Sequence, residues 1–403
     1  MTTRNVTRRG FLKISTAAGF GAVLAACGAA APAAAPTAAP AAEAPTAVTA
    51  GAATSAPAAG AAMSMDQLVA AAKQEGTLST IALPHDWLNY GEMIDGFKKK
   101  YGLEINELDP NAGSGDEVQA IKANKDNKGP QAPDVIDVGF SFGPSSKAEG
   151  LLQPYKVATW DTIPDDVKDP DGYWYGDYYG VLSFAVNKDA VTNVPQDWAD
   201  LLKPEYKGQI ALAGDPRTSN QAILTVFAAA LANGGSLDDA KPGLDFFAKL
   251  NEAGNLVPVI GKQSTLVGES PILITWDYLA LGYRDTLKDN PAVEVVVPKS
   301  GVLAGVYVQA ISAFAPHPNA AKLWMEYLYS DEGQLVWLKG YGHPIRYNDL
   351  AKNNKIPADL AAKLPPADLY AKAAFPKIEQ QDAAKKVITE GWDTIVKVNY
   401  PNA

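Results

Sequence analysis

The chain predicts an α/β body of two lobes, each a mainly parallel sheet flanked by helices. Short apolar runs rich in β-branched residues alternate with segments of helical spacing over 66–139 and again over 209–297. Two longer β-type runs, over 180–187 and 306–314, interrupt that alternation. The size fits more than one core, because 403 residues with 47% hydrophobic side chains can bury several layers.

The first 26 residues read as an export signal. Arg4, Arg8, Arg9 and Lys13 precede or open an apolar stretch over 14–26 that is too short to span a bilayer as a stable helix. Thr7-Arg8-Arg9-Gly10-Phe11-Leu12-Lys13 resembles the twin-arginine motif, and Leu24-Ala25-Ala26-Cys27 resembles a bacterial lipobox, whose cysteine becomes a lipidated N-terminus after cleavage. Cys27 is the single cysteine, so an internal disulfide or a CxxC site is excluded. Residues 28–62 hold 20 alanines, 5 prolines and one charge, Glu43. The prolines break any helix and nothing large is available to bury, so 27–63 is expected to be a lipidated cysteine followed by a disordered tether.

Loss of residues 1–26 removes four of 35 basic residues, leaving 31 against 45 acidic, a net charge of −14. That balance argues against nucleic acid, which needs a basic footprint. His85, His317 and His343 are scattered through the chain, which leaves little room for zinc. No cofactor and no metal is expected.

Within the body, a helix over 66–75 leads into a strand over 77–83. A helix over 90–101, a strand over 104–108, a polar helix ending near Ile121 and a buried strand over 133–139 follow. Such βαβ units place ligands beyond the carboxyl ends of the strands. Those ends are Pro84-His85-Asp86-Trp87, the loop 111–116, and Phe140-Ser141-Phe142-Gly143. The second section predicts a strand over 209–213, helices over 221–232 and 244–252, and strands over 271–275 and 293–297. After the run 306–314 comes a helix over 320–328, then helical segments with proline-rich joints.

Several motifs together resemble the extracellular solute-binding proteins of ABC importers, in the group with polyamine-, ferric-iron- and aminophosphonate-binding members. They are Pro133-Asp134-Val135-Ile136, Trp174-Tyr175-Gly176, Pro195-Gln196-Asp197-Trp198, Tyr206-Lys207-Gly208, Asp215-Pro216-Arg217-Thr218-Ser219 and Ser330-Asp331-Glu332-Gly333. The resemblance implies a two-lobed type II periplasmic-binding-protein fold joined by crossing hinge strands at 181–186 and 306–314, with a third crossing near 331–340. It implies lobe I over 64–182 and 304–335, and lobe II over 186–300 and 336–403. The partners it implies are a small solute and a membrane permease, with the protein a monomer held to the outer face of the cytoplasmic membrane by its lipid.

Asp215–Asn220 joins a strand end to a helix start, so its free N–H groups, with Thr218, Ser219 and Asn220, make an anion seat to which Arg217 adds charge. Asp215 or Ser219 can equally be plain helix caps. Trp276-Asp277-Tyr278 ends a buried strand, where polyamine-binding relatives use a tryptophan and an acid for cation–π attraction and a charge-assisted hydrogen bond. His85, Asp86 and Trp87 occupy the facing position, and Phe142 and Tyr307 are further aromatic candidates. Iron-binding relatives use adjacent tyrosines, but Tyr178-Tyr179 falls before the strand that precedes the family's pair, which weighs against iron. The loop 111–116 lacks EF-hand spacing, and Gly261-Lys262-Gln263-Ser264 lacks the glycine and Ser/Thr of a phosphate loop. The expected function is capture of an amine-bearing solute, a polyamine or an aminoalkyl phosphonate. A secreted hydrolase is the rival class, weakened by the absence of G-x-S-x-G and H-E-x-x-H.

Overall fold

A computed structural model describes residues 63–364 and 372–400. The export signal, Cys27 and the tether lie outside the described residues. The body opens on a reciprocal cap: Ser64 Oγ accepts the Gln67 N–H and Gln67 Oε1 accepts the Ser64 N–H. This starts α1 (Met65–Glu75), which Gly76 ends at φ 76°.

Then come β1 (Thr77–Ile81), α2 (Tyr90–Tyr101), β2 (Glu104–Leu108), α3 (Ser114–Ala123), β3 (Val135–Gly139), α4 (Phe142–Ala148) and β4 (Leu152–Gln153). The alternation expected from the sequence is present, and β1 pairs with β2 in parallel. The next strand, β5 (Trp174–Asn187), begins six residues earlier than the apolar run at 180, because Tyr175, Tyr178 and Asp177 are also buried. Past it lie β6 (Ile210–Leu212), α5 (Asn220–Ala232), α6 (Lys241–Glu252), β7 (Leu256–Ile260), α7 (Gln263–Val267), β8 (Ile272–Trp276), α8 (Asp277–Leu287) and β9 (Val293–Val296). The rest comprises β10 (Ala304–Ser312), α9 (Pro318–Leu328), α10 (Asp331–Lys339), β11 (His343–Pro344), α11 (Tyr347–Lys352), α12 (Ala358–Ala361), α13 (Ile378–Gly391) and a π-helical turn over Trp392–Val396.

The main sheet has the order β3-β10-β5-β8-β6-β7. It is parallel at β6 with β7 and β8, and antiparallel wherever β5 or β10 pairs. The strand β5 changes partner along its length. Residues 174–181 pair with β10, and 182–186 pair with β8. The two-lobed type II fold rests on this long shared strand, since one rigid element serves both halves of the sheet.

Helix α5 is buried all round from Asn220 to Ala230, as its nearly uncharged, alanine-rich sequence requires. It lies against α6, β8 and α13. The region expected to carry a third crossing, 331–340, is the helix α10, which packs with α2, α9 and β11. The boundary expected between 335 and 336 therefore falls inside a helix. Among the described residues no helix is long and apolar enough to cross a membrane.

Candidate functional site

The carboxyl ends of β1 and β2 and the start of α3 face the β6–α5 loop and the end of β7 across a cleft of about 830 Å³. The two walls touch at the rim. Gly115 N–H donates to the Thr218 carbonyl at 3.2 Å, and Lys262 Nζ donates to Asn111 Oδ1 at 3.0 Å. A Cβ on Gly115 would sit 3.2 Å from that carbonyl oxygen, so the close approach depends on glycine. Helices α3 and α5 both open on the cleft at Ser114 and Asn220, so two positive helix ends face one space.

The lining is strongly acidic. Asp86, Asp109, Asp116, Glu117, Asp137, Asp215 and Glu269 supply seven carboxyl groups against one lysine, Lys262. Asp215 is neutralised locally by Arg217, whose Nε and Nη2 donate to it. Burial pushes the Glu117 carboxyl well above the usual carboxylate range, helped by the charge of Asp137. Burial likewise raises Asp137 to about 7, against the lowering effect of hydrogen bonds from Tyr178, Tyr90 and Asp177.

An aromatic wall backs the acids. The Trp87 ring meets Tyr307 edge-on at 5.6 Å and Tyr278 at 6.0 Å, and its Nε1–H donates to Tyr178 Oη at 2.8 Å. Tyr307 stacks on Tyr178 at 5.5 Å. Burial raises the Tyr307 phenol, while the Trp276 indole and the Asn220 amide near its oxygen act in the opposite direction.

Six of the twelve residues singled out from the sequence line this cleft: Asp86, Trp87, Thr218, Ser219, Asn220 and Tyr307. The other six do not. His85 turns to the surface and meets Glu107 Oε2 at 2.7 Å. Phe142 is buried at the start of α4, with Lys385 Nζ 3.9 Å from its ring centre. Arg217 folds back onto Asp215 and reaches Asp393 Oδ1 and Asn399 Oδ1 at 3.3 Å, so its charge is spent within its own wall. Trp276 is fully buried one layer behind Tyr307, at 6.2 Å, and Tyr278 stacks on it at 6.1 Å. Asp277 faces away from the cleft, where its Oδ1 accepts the Val181 N–H at 3.0 Å and its side chain borders a separate pocket of about 450 Å³. Trp276 is the last residue of its strand and Asp277 and Tyr278 open the helix α8, so the chain changes direction within the motif and its spacing does not reveal which side chain meets the cleft.

Tyr178 and Tyr179 are neighbours on β5. Tyr178 points into the network below the cleft, whereas Tyr179 stacks on His343 at 4.6 Å. The two phenols of this strand therefore point to different surroundings and do not converge on one point.

Lining residues not among the twelve include the acids Asp109, Asp116, Glu117, Asp137 and Glu269, and Lys262. An acid inside the buried run Val135–Gly139 was a signal in the sequence, since a carboxyl in a fully buried strand needs a reason. Lys262 lies in a segment, 261–264, that fails the phosphate-loop pattern, and its place at the rim is set by its bond to Asn111 across the cleft.

The profile of the bacterial extracellular solute-binding proteins matches residues 131–372. The spermidine/putrescine-binding periplasmic protein of Escherichia coli is 25% identical over 279 residues, covering 64% of this chain and 76% of the relative. Iron uptake protein A1 of Synechocystis is 21% identical over 272 residues, covering 63% and 72%. Among solved structures, the periplasmic binding protein AfuA of Actinobacillus pleuropneumoniae, with fructose-6-phosphate bound, superposes with a TM-score of 0.62 at 23% identity, over 80% of this chain and 99% of that one. The match over 131–372 spans most of the described body, from β3 through β10 to α12, and the chain belongs to the bacterial extracellular solute-binding protein family.

Proposed function

We propose that this protein is the solute-capturing component of an ABC importer and that its solute carries an amine. Its role is binding and delivery to a membrane permease rather than catalysis. The observation that carries the amine reading is the charge of the cleft, where Asp86, Asp109, Asp116 and Glu269 face one lysine, Lys262, with Asp215 already paired to Arg217. An ammonium group gains there by charge-assisted hydrogen bonds to carboxylates and by cation–π contact with Trp87 and Tyr307. The spermidine/putrescine-binding relative supports the same class. Asp86, Trp87 and Tyr307 form the cationic subsite in this reading. Thr218, Ser219 and Asn220, at the start of α5 and facing the start of α3, take the acidic end of a zwitterion such as an aminoalkyl phosphonate.

In the same reading, Cys27 carries the lipid, residues 28–62 tether a monomeric body to the outer face of the membrane, and the twin-arginine segment directs export of the folded chain. Closure of the two lobes on the solute presents the form that the permease accepts.

A thermal-shift panel of putrescine, spermidine, an aminoalkyl phosphonate, fructose 6-phosphate and a ferric salt tests the ligand class. An amine at a hundredfold excess over its Kd should stabilise the fold by about 2.7 kcal/mol. Stabilisation by fructose 6-phosphate or ferric salt, with none by any amine, would sink the amine reading.

A further inference from the structure

Three carboxyl groups lie at and beneath the floor of the cleft. Asp137, on β3, lines the cleft although only 5% of it is exposed. Its Oδ2 accepts from Tyr90 Oη and Tyr178 Oη, both at 2.8 Å. Its main-chain N–H donates to Glu117 Oε2 at 2.9 Å. Its Oδ1 is buried and accepts no hydrogen bond from a described N–H or hydroxyl. Asp177, on β5, is fully buried behind it. Asp177 Oδ1 accepts the Tyr178 N–H at 2.7 Å, and Oδ2 accepts Gln309 Nε2–H at 3.0 Å. Gln309 Nε2 also donates to Tyr90 Oη at 2.9 Å, which closes a ring of contacts around the two acids.

Asp137 and Asp177 are linked through Tyr178 on one side and through Tyr90 and Gln309 on the other. Two buried acids so linked, with no cation beside them, do not both ionise, so at least one keeps its proton. The groups facing the pair are Tyr90 from α2, Glu117 and then Asp116 from α3, Tyr178 from β5, Tyr307 and Gln309 from β10, Tyr278 from α8 and Tyr329 after α9. Every one is an acid, a phenol or an amide, and none is a cation.

We infer that Asp137 receives the ammonium group of the solute as a carboxylate while Asp177 keeps its proton, so that capture of the cation expels the other proton from the pair to solvent. This rests on the amine reading of the same cleft. The proton balance is simple. A doubly protonated pair plus ligand cation becomes a singly protonated pair holding the cation, plus one proton taken up by buffer. Burial holds Asp137 protonated up to near neutral pH, so the work of ionising it is done by the arriving charge.

The direction of the pH dependence follows. Affinity for a cation is greatest above the apparent pKa of Asp137 and falls as pH drops through it, by roughly tenfold between pH 8 and pH 6. Putrescine keeps both amines protonated across that range, since alkyl amines ionise near pH ~10.

Isothermal titration of the whole protein with putrescine, in buffers of different ionisation enthalpy, reads the released proton directly. The expected result is a release that grows as pH falls from 8 to 6, together with roughly tenfold weaker binding. Asp177→Ala removes the protonated neighbour whose hydrogen bond favours the Asp137 carboxylate, so it should move the loss of affinity to higher pH. A titrating histidine elsewhere would not produce that shift. Asp137→Asn should lose putrescine at every pH while its circular dichroism stays that of a folded protein. Binding with no proton release and no pH dependence overturns this inference and leaves the amine reading standing. Absence of putrescine binding at any pH, alongside capture of a non-amine, overturns both.

Discussion

Asp277 Oδ1 accepts the main-chain N–H of Val181 at 3.0 Å, at the point where β5 leaves β10 and begins to pair with β8. The bond fastens the first residue of α8 to the crossing strand. A residue type suited to holding an ammonium thus holds the backbone at the junction between the two halves of the sheet.

The first prediction follows from that placement. Asp277→Ala removes the acceptor of a buried N–H and should destabilise the fold by about 1–3 kcal/mol in chemical denaturation. Affinity for any cationic ligand, measured on the folded fraction, should change little. A large loss of affinity without loss of stability would return Asp277 to the binding site.

The buried acids make stability depend on pH with a definite sign. Asp137, Asp177 and Glu117 are all raised by burial, so each favours folding most below the ordinary carboxylate range. That contribution is lost as pH rises, through about 7 for Asp137. Asp177→Asn should therefore raise the melting temperature at pH 8 relative to wild type more than it does at pH 5, as read by differential scanning calorimetry.

The rim contacts should govern how long a ligand stays. Lys262→Ala removes the exposed bond to Asn111 and should speed dissociation only a few-fold, since such a bond contributes about 0.5–1.5 kcal/mol. Gly115→Ala places a methyl group 3.2 Å from the Thr218 carbonyl, so it should slow closure and weaken binding more than Lys262→Ala does. Stopped-flow fluorescence of Trp87 is a suitable readout.

Anchoring depends on Cys27. Cys27→Ser should leave the protein exported but released from the membrane fraction, and Arg8→Lys with Arg9→Lys should block export. Unchanged membrane association of the serine variant in cell fractionation would exclude the lipoprotein reading.

Ferric salts should leave the protein colourless. A tyrosinate–iron band needs phenolates directed at one point, and Tyr178 is engaged by Asp137 and Trp87 while Tyr179 lies against His343. A visible absorption band lost in a Tyr178→Phe, Tyr179→Phe variant would overturn this.

Local pattern was enough to read the alternation of strands and helices, since α2 and β2 end where the sequence places them and α1 lies within one residue. Apolar periodicity, glycine at helix ends and the capping pair Ser64–Gln67 act over a few residues, and so are visible in a few residues. The same holds for the cleft walls at Trp87, the loop 111–116 and Thr218–Asn220, because a strand's carboxyl end is a local feature. Which side chain faces the cleft is different in kind. Trp276 and Tyr307 lie on neighbouring elements of one aromatic stack, yet only Tyr307 reaches the cleft. Arg217 turned from ligand to ion-pair partner because Asp215 is two residues away, and Asp393 and Asn399 are brought to it by the C-terminal segment. Asp137 and Asp177 are 40 positions apart, on strands that both flank β10, and nothing in either segment announces the other. Their link through Tyr178, Tyr90 and Gln309, like the rim bond of Lys262 to Asn111, is set by long-range packing. Sequence by itself determined the elements and the family, and the tertiary structure decided which charges meet, because electrostatic pairing depends on distances that only the folded chain defines.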